Sequence, residues 1–229
     1  MIEIFPDART LAAAAASAVH DRLTYRLRLK GEASLVATGG RSPGLLYDML
    51  SAAPLDWAKV RVTLSDERFV DADSPDSNER LVRERLLQGR AARARFTSLR
   101  GDAKTPEQAA AQASDALAGW GPFEVVLLGV GEDGHIASLF PGNPALADGL
   151  ARTAAPCIAV PPGEGRPPEQ PRLSLSLPRL ASARLVIVLA SGSKKRRVLE
   201  EAEDGGDPSR LPLRGLLQSA PSVRILWTA

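Results

Sequence analysis

The chain has 229 residues, 44% of them hydrophobic and 24% charged, which is enough apolar material for one α/β domain spanning 1–229 with a full core. Its 29 basic and 27 acidic residues leave a net charge of +2, too even to argue for a nucleic-acid or membrane-surface partner, while small acidic ligands stay open. Cys157 is the only cysteine, which excludes an internal disulfide and a zinc–thiolate cluster, and no run approaches the roughly 18 apolar residues of a membrane span.

At the N-terminus, MIEIFPDAR has no basic n-region and no long apolar stretch, so a cytoplasmic location is expected. An Ala-rich helix is predicted over 7–29; it holds His20, read as a surface residue. The run SLVA (34–37) leads into TGGRSPG and a helix over 43–52. VRVTL (60–64) leads into SDERF, the polar loop DADSPDSN and a helix over 77–88. Thr105 as cap and Pro106 at the first helical position open a helix over 106–118. EVVLL (124–128) leads into GVGEDGH. Cys157 lies in the apolar run PCIAV and reads as a buried, inert thiol. PPGEGRPPEQPR (161–172) is too rich in Pro and Gly for regular structure, and is either a connector or a flap over a pocket. RLVIVL (184–189) precedes helices over 193–203 and 211–219, and VRILW (223–227) is the last strand. Apolar strands alternating with helices predict a mostly parallel, Rossmann-like sheet with helices on both faces.

In such a sheet, ligands bind beyond the carboxyl ends of the strands, and four chemically distinctive segments follow predicted strands directly. The first is Thr38-Gly39-Gly40-Arg41-Ser42-Pro43. Its glycines allow a sharp turn, Ser42 is placed to cap the next helix, and free N–H groups at a helix start favour an anion. The second is SDERF, where Asp66 and Arg68 stand two apart and are candidates to pair; Asn78 lies either at the same mouth or in plain turn material. The third runs from Leu128 to Gly142. It spells G-x-G-x-x-G at Gly129, Gly131 and Gly134, but Pro141 and Pro144 cut short any helix after it and no strand ending in an acid follows, so a dinucleotide site is not expected. Its distinctive content is Asp133-Gly134-His135, a histidine beside a carboxylate at a glycine-rich strand end, which suits general-base chemistry. The fourth is Gly192-Ser193-Lys194-Lys195-Arg196-Arg197. Four cations at a helix start oppose its dipole, so at least one is expected to face something negative, while Arg196 and Arg197 read as a solvated face balanced by Glu200, Glu201 and Glu203.

Taken in order, TGGRSP, LSDERFV with DSPDSN, LLGVGEDGHIASLFPG, PRLSLSLPRLASA and SGSKKRRVL resemble the 6-phosphogluconolactonase family, within the glucosamine-6-phosphate isomerase/lactonase superfamily. The resemblance implies hydrolysis of 6-phospho-D-glucono-1,5-lactone to 6-phosphogluconate, in the oxidative branch of the pentose phosphate pathway, without metal or other cofactor. It implies a histidine base at His135, with Asp133 either orienting it or capping the short helix expected to follow. It further implies a phosphate cradle at Gly39, Gly40 and Ser42, with Arg41 where a small Ser is more usual, and contacts from Arg68, Arg172 and Lys195; Arg41 and Asp66 are also expected among the substrate-binding residues. Oxyanion donors are sought in Arg68, in the backbone N–H groups of the Gly131–Gly134 turn, or in both.

The sister deaminase/isomerase reads DGHIAFNEP where this chain reads DGHIASLFP, so Phe140 stands in the place of a glutamate and weighs toward water-mediated lactone opening. A deaminase/isomerase and a non-catalytic sugar-phosphate sensor are the alternatives. The expected partner is a small phosphorylated sugar lactone, with no nucleic acid and no membrane, bound by a monomer or weak homo-oligomer.

Overall fold

Strands of Val, Leu and Ile buried on both faces set the architecture, because such strands are stable only inside a sheet covered on both sides. The computed structural model describes residues 1–229. In chain order its elements are β1 (Ile2–Phe5), α1 (Ala8–Lys30), β2 (Ala33–Ala37), α2 (Gly44–Ser51), β3 (Val60–Leu64), β4 (Asp66–Arg68), α3 (Asn78–Arg85), β5 (Arg95–Phe96), α4 (Pro106–Ala118), β6 (Val125–Gly129), α5 (Leu146–Leu150), β7 (Cys157–Val160), β8 (Arg172–Leu175), α6 (Leu177–Ala181), β9 (Val186–Ser191), α7 (Ser193–Glu203), α8 (Leu213–Ser219) and β10 (Val223–Thr228). Seven strands form a parallel sheet in the order β1-β10-β9-β6-β2-β3-β5, and β4-β8-β7 form a small antiparallel sheet. All five residues of β2 are buried, as are the first four of β6. Fifty-four buried residues from these strands and the helices over them make one contiguous core cluster.

The local signals work where side-chain chemistry fixes a terminus. Asp7 accepts from Thr10 N at 2.7 Å to start α1, and Thr105 Oγ1 accepts from Gln108 N at 3.2 Å to start α4 with Pro106 in its first turn. Cys157 is buried in β7, and burial pushes its thiol up to about 12. The irregular segment ends at Pro171, because Arg172 already belongs to β8 and pairs with Arg68 and Val160. No helix is long and apolar enough to cross a membrane.

The chain passes from β2 outward to β3 and β5, then crosses back to place β6 on the other side of β2. That reversal opens a crevice at the carboxyl ends of β2 and β6. Gly129 N donates to Thr38 Oγ1 at 3.4 Å across the gap. With β9 beyond β6 and β3 beyond β2, four adjacent strands deliver all four distinctive segments to one edge.

Candidate active site

A polar cavity of about 170 Å³ occupies this crevice. Gly39, Gly40, Arg41, Ser42, Asp66, Arg68, His135, Arg172 and Lys195 all line it, together with Thr38, Pro43, Asn78, Gly129, Val130, Ala137 and Leu189. Of the residues expected from the sequence to act in catalysis or hold the substrate, Asp133 is the one outside the wall, and it stands behind His135.

The glycine segment is anchored by Tyr47, buried on α2. Its hydroxyl accepts from Thr38 N at 2.8 Å and donates to Thr38 O at 2.6 Å, which ties the end of β2 to the helix that follows. Ser42 does not cap α2. The helix begins at Gly44 after Pro43, which has no side-chain capping bond, so the Ser42 hydroxyl is left exposed at the cavity. Gly39 is required by a close approach, since a Cβ there would overlap the side-chain amide of Asn78.

Asp66 and Arg68 do not pair as the sequence suggested. Asp66 is buried and accepts from Ser65 Oγ at 2.9 Å and Ser138 Oγ at 2.6 Å, with Arg172 Nη1 4.0 Å away. Arg68 instead donates through Nη1 to Asn78 Oδ1 at 2.6 Å and to Asp76 O at 3.0 Å. Glu67, between them, points the other way and is 1% exposed. Its carboxylate accepts from Arg68 N, Ser77 Oγ, Asn78 N and Glu79 N at 2.7–3.0 Å, fastening β4 to the start of α3. Burial raises the Glu67 carboxyl, and the four donors work against that rise.

His135 Nδ1 lies 2.6 Å from Asp133 Oδ1, and the same oxygen accepts from His135 N at 3.2 Å. A carboxylate can only accept here, so Nδ1 carries the proton and Nε2 is left as the basic nitrogen. Burial opposes ionisation of Asp133, but the hydrogen bond and charge of His135 outweigh it and hold the carboxyl below the usual range. Gly131 makes this dyad possible, because a Cβ there would overlap both the imidazole and the Asp133 carboxylate.

The short helix expected after Gly134 does not form. Ile136 bridges to Val130 and Leu139 instead, and Ala137 adopts φ 48°, a left-handed conformation no helix contains. The Gly131–Gly134 turn offers fewer donors than expected, since Gly131 N donates to His135 O and Gly134 N to Gly131 O. Phe140 packs on His135 with ring centroids 4.3 Å apart, and the Arg172 guanidinium lies 5.6 Å from the centroid of the same Phe140 ring.

At the start of α7 the four cations divide. Lys194 pairs with Glu132 at 3.1 Å and Arg196 with Glu200 at 2.6 Å, Arg197 is exposed, and Lys195 lines the cavity. Burial lowers the Lys195 ammonium, Glu132 opposes the fall, and Arg41 adds to it. His20 sits on α1 beside Asp21, outside the cavity.

The family model for glucosamine-6-phosphate isomerases/6-phosphogluconolactonase matches residues 6–227. The chain belongs to this family. A 6-phosphogluconolactonase of Caulobacter vibrioides is 43% identical over 99% of this chain and 96% of that protein. The crystal structure of a 6-phosphogluconolactonase from Shewanella baltica superposes with a TM-score of 0.94 at 36% identity, covering 100% of this chain and 97% of that one. A monomeric glucosamine-6-phosphate deaminase superposes with a TM-score of 0.82 at 18% identity, covering 99% of this chain and 96% of that one. The last likeness shows a shared fold alone, so within the family the fold does not separate the activities and the site must do so.

Proposed function

We propose that this chain hydrolyses 6-phospho-D-glucono-1,5-lactone to 6-phosphogluconate, with His135 as the general base that activates water. The observation that carries this reading is the Asp133–His135 hydrogen bond of 2.6 Å beside a cavity walled by Arg41, Arg68, Arg172 and Lys195.

The phosphate sits over the Gly39–Ser42 turn, where Arg41 and Lys195 supply positive charge and Ser42 a hydroxyl. This anchoring leaves the lactone carbonyl at the His135 end. Nε2 takes a proton from water as its oxygen bonds to the carbonyl carbon, and Asp133 stabilises the imidazolium that forms. The carbonyl oxygen becomes an oxyanion. Because the Gly131 and Gly134 N–H groups are already engaged, Arg68 and Arg172 meet it, Asp66 steadying Arg172 from behind. Collapse of the tetrahedral intermediate breaks the ring C–O bond, and the imidazolium returns its proton to the departing ring oxygen. Phe140 presents only an apolar face to His135, where the deaminase segment has a carboxylate, so histidine chemistry here is directed by Asp133 alone.

The deciding experiment is a coupled assay on freshly generated 6-phosphogluconolactone, corrected for spontaneous opening, beside ammonia release from glucosamine 6-phosphate. Fast lactone opening without ammonia release is expected. His135→Asn should remove roughly 10²–10⁴ of the rate while leaving the fold intact. Ammonia release rivalling lactone opening, or an Asn variant with normal turnover, would overturn the reading.

A further inference from the structure

We infer that Asn78 is a positioning residue for this reaction, its side-chain amide holding the Arg68 guanidinium in the orientation that meets the lactone carbonyl. The inference rests on the role given to Arg68 above.

Asn78 opens α3 and is 2% exposed. Its Nδ2 donates to Asp66 O at 2.8 Å and its Oδ1 accepts from Arg68 Nη1 at 2.6 Å. A carbonyl accepts and a guanidinium donates, so the two neighbours fix which way the amide points. The second Nη1 hydrogen goes to Asp76 O at 3.0 Å. Both hydrogens of Nη1 are therefore committed and the guanidinium cannot turn about its own axis; Nε is buried without a partner, and Nη2 is the terminal nitrogen left for an anion.

The amide is itself immobilised from two sides. Its backbone N–H donates to the buried Glu67 carboxylate at 2.8 Å, and the amide fills the space that a side chain at Gly39 would need. A clamp of this kind has a purpose in this site. Arg172 stands opposite Arg68 across the β4–β8 ladder, and like charges placed there push each other toward solvent. Asn78 supplies the only side-chain acceptor that holds Arg68 against that push. A neutral amide does so without cancelling the charge, which a carboxylate at this position would do.

The test compares wild type, Asn78→Ala, Asn78→Ser, Arg68→Met and the double variant Arg68→Met/Asn78→Ala on the phosphorylated lactone and on unphosphorylated glucono-lactone. Ser ends one atom short of both Arg68 Nη1 and Asp66 O but keeps a small polar group at the start of α3, so it covers the case in which Ala impairs folding. A misplaced Arg68 should lower kcat roughly 10- to 100-fold on both substrates, with KM for the phosphorylated lactone changed by no more than about threefold. In the Arg68→Met background, Asn78→Ala should cost almost nothing more. Arg68 side-chain NMR gives a readout independent of turnover, with distinct Nη signals in wild type that merge in both Asn78 variants.

Additive losses in the double variant, a raised KM with kcat intact, or unchanged Arg68 signals would each overturn the inference. Arg68→Met impaired with both Asn78 variants at full kcat would sink it while the role of Arg68 stands. Full kcat in Arg68→Met would remove both.

Discussion

Arg68 and Arg172 are direct partners across the antiparallel β4–β8 pairing, so two guanidinium groups rise from the same side of the small sheet. Burial lowers the Arg172 guanidinium, Asp66 pulls it back up, and the charge of Arg68 lowers it further. An anion between the two relieves both the desolvation and the repulsion. The product of lactone opening carries such an anion, its new carboxylate, at the carbon where the carbonyl stood.

The first prediction follows from this pair. Binding of 6-phosphogluconate at a hundred times its Kd should stabilise the wild type by about 2.7 kcal/mol. Arg172→Met should weaken product binding by at least about tenfold, the scale of one charge-assisted hydrogen bond, and shrink the thermal shift accordingly. Melting curves with and without product measure it, and equal shifts in both proteins would show that Arg172 does not meet the carboxylate.

The second concerns Lys195. Lys195→Met should cost about 1.5–3 kcal/mol in kcat/KM for the phosphorylated lactone and hardly change hydrolysis of glucono-lactone. Burial lowers the ammonium, so it loses its charge at a lower pH than an ordinary lysine. Product affinity should therefore weaken with rising pH before the usual lysine range is reached, and this alkaline limb should vanish in Lys195→Met. Binding titrations across the alkaline range decide it, and a limb that survives in the variant would assign it elsewhere.

The third concerns Asp133. Asp133→Asn should lower kcat on the order of 10²-fold or more, because Asn can donate to Nδ1 and so favours the wrong tautomer. The Asp133 carboxyl is held below its ordinary value of 3.8, so its stabilising effect is complete above that pH and is lost as pH falls through the lower folded value. Unfolding free energy should therefore fall less steeply below about pH 4 in the Asn variant. Urea titrations at several acidic pH values would show parallel profiles if the carboxylate were not engaged in the fold.

The fourth concerns Gly131. A methyl group there would overlap His135 and Asp133, so Gly131→Ala should displace the imidazole and cost roughly 100-fold in kcat. Product affinity, which the proposal assigns to Arg172 and Lys195, should be largely kept. Retention of full kcat would mean that the dyad accommodates the methyl group elsewhere.

The sequence made some of this legible for reasons that are local. Thr105 and Pro106 carry their helix-starting chemistry in their own side chains, and apolar strands before glycine turns marked the edge where His135, Arg68 and Lys195 meet. Pairings across the fold were not legible. Arg68 and Arg172 become neighbours only because β8 begins inside a segment whose Pro and Gly content reads as loop. Asp66 turned to Ser138 rather than Arg68 because a serine two loops away came within 2.6 Å, which no spacing in the chain announces. The helix expected after Gly134 failed at Ala137, since Ala gives no warning of a positive φ. Glu67 was hidden between two more conspicuous charges, although an acid just before a strand end and a Ser-Asn helix start are the ingredients of the clamp it forms.

The first strand of this chain is paired only with the last. β10 lies between β1 and β9, with Ile2 opposite Ile225 and Val223 opposite Val186, and the Glu3–Arg224 ion pair reaches across the same seam. Residues 223–229 are thus the keystone of one half of the sheet. Without them β1 has no neighbour to join, and β9, the strand whose end presents Lys195, becomes an open apolar edge of the kind that recruits other chains. Nicking or trimming this C-terminal strand would therefore disable the enzyme by aggregation, although every residue of the cavity remained in place along the chain.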